Sequence, residues 1–131
     1  PDMALFKFTK KILSNKSIEL YNYGKMFRDF TYIDDAIMGI NIIIKNTKVN
    51  KSGFEIFNIA SSKPHTLKKF ISIIERNLKI KIKYKLLPLQ KGDVVKTHAS
   101  IKKLKGFRPK ISIEKGISNF IDWYRLYYKI K

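Results

Sequence analysis

The sequence predicts an α/β fold, because segments with helical spacing of apolar residues alternate with short extended segments along its 131 residues. A hydrophobic content of 44% is enough for one core, and neither an internal repeat nor a linker-like stretch divides the chain. We therefore expect one domain over residues 1–131.

Four segments carry the helical spacing and predict four helices. The first covers residues 3–13 and the second residues 34–45. The third follows Pro64, and the fourth follows Ser112, a typical helix N-cap. The apolar faces expected on the last three helices are Ile33, Ala36, Ile37, Ile40, Ile43 and Ile44; Leu67, Phe70, Ile71, Ile74 and Leu78; and Ile117, Phe120, Ile121, Tyr124 and Tyr128.

Extended segments lie between these helices. Two short strands are expected on either side of a turn at residues 22–24. The apolar run at 53–60 predicts a strand buried on both faces. Residues 80–87 alternate with lysine, which predicts a half-buried strand. Its inner face would consist of Ile80, Ile82, Tyr84 and Leu86. Residues 88–95 predict a loop, and a short helix is expected between Ser100 and Gly106.

The net charge of +18 raises the question of nucleic-acid binding. Only four of the 28 basic residues are arginine, and the lysines are spread along the chain. Since base and phosphate recognition usually favours arginine, nucleic-acid binding is the less favoured interpretation. The chain has no cysteine, which excludes disulfides and predicts a reducing cytoplasm. No apolar run approaches the roughly 20 residues of a membrane span.

Patterns that would indicate catalysis are scarce. His65 and His98 have no neighbours at metal-ligand spacing, and the six glycines form no dinucleotide-binding or phosphate-loop motif. A Y-x-x-x-K pattern occurs at Tyr21–Lys25 and again at Tyr127–Lys131. An acid/base pair of this kind needs both side chains on one helix face, whereas Tyr21–Lys25 spans a predicted turn. We interpret both matches as chance occurrences.

The segment KMFRDFTYIDD, residues 25–35, concentrates acids and aromatics around one arginine. Asp34 and Asp35 fit the first turn of a helix, where the helix dipole favours carboxylates. Asp29 is expected to pair with Arg28 and fix its rotamer. A guanidinium held by an acid at the end of a strand is well suited to a phosphate group. Arg28 is therefore a candidate phosphate-binding residue.

Five segments in order resemble the C-terminal part of nucleotide-sugar epimerases and dehydratases of the extended short-chain dehydrogenase/reductase family. They are PDMALFKFTKKIL, YNYGKMFRDFTYIDDAIMGI, FNIASSKPHTL, LPLQKGDV and GFRPKISIEKGISNFIDWY. The similarity is greatest to the UDP-glucuronate 4-epimerase branch. It implies a substrate-binding part of that fold, lacking most of the dinucleotide-binding sheet, with residues 54–60 adding one strand to the main sheet of the intact enzyme.

The resemblance also implies a set of residues that bind UDP. Arg28 corresponds to an arginine that contacts the diphosphate, and Asp93 to an acid that binds the ribose hydroxyls. Gln90 takes a position where an arginine often reaches the phosphates, so phosphate binding should be weaker there. A carboxylate only accepts hydrogen bonds and therefore suits paired hydroxyls.

Four further residues are implied on the uridine side. Leu20 and Tyr21 correspond to the strand that lies against the uracil, and Asp2 and Met3 begin the helix that flanks the uridine. The catalytic serine or threonine, the helical Tyr/Lys pair and the NAD-binding glycines would all lie upstream of Pro1.

Three consequences follow from the resemblance. The expected ligand is a UDP-sugar, and a separate N-terminal dinucleotide-binding part is a potential partner. NAD would serve the intact family enzyme, and none is expected to bind this chain alone, which should have no epimerase activity by itself. The alternatives are a basic nucleic-acid-binding module and a non-catalytic remnant or interaction domain.

Overall fold

Four α-helices and four short strands are found in residues 3–46 and 53–130, the part of the chain that our computed structural model describes. The helices are α1 (Ala4–Leu13), α2 (Ile33–Asn46), α3 (Leu67–Leu78) and α4 (Ile113–Tyr128). The strands are β1 (Ile18–Leu20), β2 (Phe27–Arg28), β3 (His65–Thr66) and β4 (Tyr84–Leu86). The predicted α/β class and all four main helices are confirmed.

The strands form two small sheets. β1 pairs in parallel with β4, with Ile18 opposite Tyr84, and β2 pairs antiparallel with β3, with Arg28 opposite His65. The predicted turn between β1 and β2 is a short 3-10 segment, Tyr21–Gly24. Its residues Asn22 and Tyr23 adopt left-handed backbone angles, with φ of 48° and 53°. The chain therefore changes direction there, and β1 and β2 join different partners.

The core lies where α3 and α4 pack together and against β1. Local signals set the start of both helices, since Thr66 Oγ1 accepts a hydrogen bond from the Lys69 N–H and Ser112 Oγ from the Lys115 N–H. Phe30, just after β2, stacks on Phe70 of α3 with ring centroids 4.5 Å apart. The buried core residues are Ile12, Ile18, Leu20, Phe70, Ile71, Ile73, Ile74, Leu78, Ile82, Ile113, Ile117 and Ile121.

The strand predicted at 53–60 is wrong for the described chain. The segment forms no strand, and its side chains Phe54 and Ile56 are 70% and 71% exposed. Only its far end is buried, at Ala60. A strand needs a neighbouring strand to take its backbone hydrogen bonds, and no described segment lies in that position.

The strand predicted at 80–87 is only partly correct. β4 covers Tyr84–Leu86, and of the predicted inner face only Ile82 is buried. Ile80, Tyr84 and Leu86 are exposed because β4 pairs with β1 alone and no further layer of the described chain covers its outer face.

The short helix predicted between Ser100 and Gly106 is also wrong. Turns replace it, with the Leu104 N–H donating to the Ile101 carbonyl and the Phe107 N–H to the Leu104 carbonyl. A helix of so few residues is unfavourable, because its few hydrogen bonds do not offset the conformational entropy lost in forming the first turn. Leu104 and Phe107 are both buried, so side-chain packing sets the shape of this segment.

Candidate functional site

A cleft of about 760 Å³ opens between α1 and β2. Its lining is mostly apolar and includes Phe8 and Phe30, while Arg28 and Asp93 are among its charged residues. A concave, largely apolar cavity with a few polar groups is the usual form of a small-molecule site.

The structure brings four of the seven predicted site residues to this cleft. Met3, Tyr21, Arg28 and Asp93 all line it. Leu20 is 3% exposed and belongs to the core instead. The side chain of Gln90 is exposed and does not line the cleft. The remaining residue, Asp2, lies outside the described part of the chain.

Arg28 is fixed by the backbone around it and by one acid. Its Nη1 donates to the carbonyls of Phe27, at 2.9 Å, and of Val95, at 3.4 Å. Its Nη2 lies 3.8 Å from Oδ1 of Asp93, and the two side chains are 29% and 35% exposed. This is a loose, half-buried ion pair with room for both groups to contact a ligand.

The predicted pairing of Asp29 with Arg28 is wrong. Asp29 Oδ2 lies 3.7 Å from Nδ1 of His98, and the side chain of Asp29 is only 5% exposed. Adjacent side chains of an extended segment point in opposite directions, so Arg28 reaches Asp93 while Asp29 reaches His98.

The loop that carries Asp93 is held along β2. The Phe27 N–H donates to the Val95 carbonyl at 2.9 Å, and the Thr97 N–H donates to the Phe27 carbonyl at 3.2 Å. The Asp29 N–H in turn donates to Thr97 Oγ1 at 3.0 Å. These contacts bring Asp93 next to Arg28 although the two residues are far apart in sequence.

Sequence reasoning missed several residues of the cleft. Lys7 and Lys11 line it from α1, and Lys11 Nζ lies 3.6 Å from Glu19 Oε2. Their spacing of four residues puts them on one helix face, which is a signal that could have indicated them. Thr97 also lines the cleft, but no local pattern in the sequence marks it. With Arg28, the two lysines give the cleft three cations, and Glu19, Asp29 and Asp93 give it three carboxylates. An anionic ligand would therefore need to contact the cations directly, as a guanidinium or ammonium hydrogen bond to phosphate does.

The Y-x-x-x-K match at Tyr21–Lys25 does not lie on an α-helix. Tyr21 begins the 3-10 segment, and two residues with left-handed angles separate it from Lys25. This confirms that the first match is not a helical acid/base pair. The second match ends at Lys131, which lies outside the described residues.

Neither histidine belongs to a cluster of metal-binding side chains within the described residues. Within residues 3–46 and 53–130, no three side chains of His, Asp or Glu are grouped closely enough to hold an ion. His65 lies on β3 opposite Arg28, and burial, reinforced by Lys69, lowers the pKa of its imidazole below the ordinary value. In the same part of the chain, no helix is long and apolar enough to cross a membrane.

Known proteins resemble the chain over nearly its whole length. Its first 60 residues match the NAD dependent epimerase/dehydratase family. An uncharacterized protein of Methanocaldococcus jannaschii is 50% identical over 127 residues, which cover 95% of this chain and 38% of that protein. UDP-glucuronate 4-epimerase 5 of Arabidopsis thaliana is 38% identical over 144 residues, covering 98% of this chain and 33% of that protein.

A solved structure shows the same fold. The UDP-glucuronic acid 4-epimerase from Bacillus cereus, in complex with UDP-glucuronic acid and NAD, superposes with a TM-score of 0.87 at 28% identity. The match covers 98% of this chain and 41% of that one. The chain therefore spans less than half the length of each of these relatives.

Proposed function

We propose that this chain, a homologue of part of the NAD-dependent nucleotide-sugar epimerases and dehydratases, is the UDP-sugar-binding portion of a UDP-glucuronate or UDP-hexose 4-epimerase. The observation that carries the proposal is the cleft in which Arg28 and Asp93 meet beside Tyr21 and Met3. A cytoplasmic location, where nucleotide sugars would be available, is part of the same proposal.

Arg28 and Asp93 have complementary roles in this proposal. The guanidinium of Arg28 would bind the diphosphate, because its planar fork donates two parallel hydrogen bonds to phosphate oxygens. The carboxylate of Asp93 would accept hydrogen bonds from the ribose hydroxyls. Their mutual contact at 3.8 Å is weak, so exchanging it for ligand contacts costs little.

The uridine would lie against the side of the cleft formed by Tyr21 and Met3. Met3 is 78% exposed at the start of α1 and offers an adaptable apolar surface. Leu20 would act indirectly, by holding β1 in the core beneath Tyr21. Gln90 would shape the loop, because its carbonyl accepts the Asp93 N–H at 3.0 Å. Asp2, which lies outside the described residues, would flank the uridine, as the resemblance implies.

Among the described residues, no positive-φ glycine lies where a dinucleotide-binding turn would need it. The glycines that adopt positive φ are Gly24, Gly53, Gly92 and Gly106, and none of them directly precedes a helix N-terminus. A dinucleotide pyrophosphate is usually held by a glycine-rich turn at such a terminus. We therefore assign to this chain the binding of the UDP-sugar and no step of hydride transfer.

Calorimetric titration with UDP tests the proposal. We expect saturable binding by the wild-type chain and a loss of about 10- to 100-fold in affinity for Arg28→Ala, since a hydrogen bond to a charged group contributes roughly 1.5–3 kcal/mol. Arg108→Ala is the matched control, because Arg108 is exposed and does not line the cleft.

Two results would contradict the proposal. One is the absence of UDP binding by a chain that circular dichroism shows to be folded. The other is an equal loss of affinity in the Arg28 and Arg108 variants, which would indicate attraction by overall charge alone.

Nucleic-acid binding is the second candidate function, and the net charge of +18 is the observation that favours it. Titration with single-stranded RNA at two salt concentrations separates it from the first. A steep fall in RNA affinity with salt, together with no affinity for UDP, would favour the second candidate.

A further inference from the structure

We propose that Asp29 is a positioning residue that holds residues 93–98 against β2 and thereby sets Asp93 beside Arg28. The inference rests on the function proposed above for Arg28 and Asp93. Asp29 itself lines the cleft, at its buried side chain, and we assign to it the task of organising the cleft rather than of binding the ligand.

The burial of the Asp29 carboxylate demands an explanation. The side chain is only 5% exposed, and its Oδ2 has no hydrogen-bond partner among the described residues. Its Oδ1 accepts only a long hydrogen bond, at 3.4 Å, from the Lys63 N–H. Burying a carboxylate with so few hydrogen bonds costs free energy, and a buried carboxylate usually has a partner that offsets this cost. The cation-forming group nearest to Oδ2 is His98, at 3.7 Å.

His98 belongs to the segment 93–98, which must stay against β2 if Asp93 is to lie beside Arg28. Val94 and Val95 are 57% and 42% exposed, so apolar burial contributes little to fixing this stretch. Polar contacts do so instead, and Asp29 supplies two of them. Its backbone N–H donates to Thr97 Oγ1 at 3.0 Å, and its side-chain Oδ2 lies 3.7 Å from Nδ1 of His98.

The geometry connects these contacts to the ligand-binding pair. Asp93 lies only four residues before Thr97, and between them the Val95 carbonyl accepts from both the Phe27 N–H and Nη1 of Arg28. If the segment moves away from Asp29, the Val95 contact to Arg28 and the 3.8 Å approach of Asp93 are lost together. Asp29 therefore acts on the ligand through Asp93.

Hydrogen exchange measured by NMR tests the positioning directly and needs no ligand. In Asp29→Asn and Asp29→Ala we expect the amides of Phe27 and Thr97 to exchange at least about 10-fold faster, because opening of the segment frees both. The amides of Ile74 and Ile121 in the core should not change. Asp34→Asn is the control, since Asp34 is exposed in α2 and does not line the cleft.

A second measurement distinguishes the positioning of Asp93 from a general effect of Asp29 on the structure of the cleft. UDP, 2′,3′-dideoxy-UDP and pyrophosphate are titrated into wild type, Asp29→Asn and Thr97→Val. The preference of wild type for UDP over the dideoxy compound should be about 10-fold or more, reflecting Asp93. Both variants should reduce that preference at least about threefold. Pyrophosphate affinity should fall less than UDP affinity, since Arg28 loses the Val95 contact but keeps its hydrogen bond to the Phe27 carbonyl.

The outcomes are distinct. Unchanged exchange at Phe27 and Thr97 overturns the inference, and so does an equal loss of affinity for all three ligands. If wild type binds no UDP, the proposed function fails, while the exchange result still decides whether Asp29 holds the segment.

Discussion

Asp35 links two distant parts of the chain through one carboxylate. It lies in the first turn of α2 but is only 3% exposed. Its two oxygens accept the N–H groups of Lys110 and Ile111, both at 2.9 Å. The sequence pattern accounts for an acid at this position through the helix dipole. The structure shows a second role, which the helix dipole does not explain. Asp35 connects the segment before α4 to the start of α2 by hydrogen bonds.

We expect Asp35→Ala to lower the free energy of unfolding by about 2–4 kcal/mol, because two part-buried N–H groups lose a charged acceptor. The neighbouring Asp34 is exposed, so Asp34→Ala should change stability by no more than about 0.5 kcal/mol. Urea denaturation of both variants measures the difference. Equal stabilities would show that the Asp35 hydrogen bonds contribute nothing net.

At the scale of the elements, an ion pair joins the N-terminal turns of the two central helices. Lys69 Nζ of α3 lies 2.8 Å from Glu114 Oε1 of α4, and Glu114 stands in the first turn after the Ser112 cap. The hydrogen bond from Lys69, followed by one from the backbone, lowers the pKa of the Glu114 carboxyl to about 2. The pair adds a polar contact between two helices whose buried residues are largely apolar.

This lowered pKa predicts how stability depends on pH. A carboxyl group whose pKa is lowered by folding stabilises the folded state. This contribution is complete at pH values above the pKa of the unfolded chain, and it is lost as the pH falls through the folded-state pKa of about 2. Both side chains are nearly half exposed, so we expect Glu114→Gln to cost only about 0.3–1 kcal/mol at neutral pH. The difference from wild type should shrink progressively from pH 5 to pH 2 in denaturation experiments. A constant difference would contradict the assignment.

At the scale of the whole molecule, the described residues leave a large apolar face of α2 uncovered. The predicted apolar stripe of α2 does form a face, but Ile33, Ile37, Ile40 and Ile44 on it are 61%, 47%, 44% and 73% exposed. Buried Gly39 lies on another side of α2, in close contact with Ile59. Uncovered apolar surface of this extent is typical of an interaction site. It is consistent with a chain that spans less than half the length of its relatives.

We expect the purified chain to self-associate through this face at high salt, because salt screens the repulsion between molecules of charge +18. The double variant Ile37→Gln/Ile40→Gln should sediment as a monomer under conditions where wild type does not. Leu126→Gln is the control, since Leu126 is 81% exposed on α4. If all three proteins sediment alike in velocity experiments, the α2 face does not mediate association.

The helices were predictable because their signals are local. The apolar spacing and the Ser112 cap act within a few residues, and the structure confirms both. Strands depend on partners that local sequence cannot specify. This is why residues 53–60 and most of 80–87 did not become the strands that their apolar patterns predicted.

For the candidate site, the sequence by itself determined which residue types are available. Arginine suited to phosphate, a carboxylate suited to hydroxyls and the family resemblance together indicated Arg28, Asp93, Tyr21 and Met3, and these four line one cleft. Only the tertiary structure decided which acid faces Arg28 and what holds that acid in place. Arg28 meets Asp93, while Asp29 joins Thr97 and His98, through contacts that span more than 60 residues. The alternation of side chains along an extended segment turns Asp29 away from Arg28. That Asp93 takes its place depends on how the whole chain packs, because no local interaction indicates an acid so far away in the sequence.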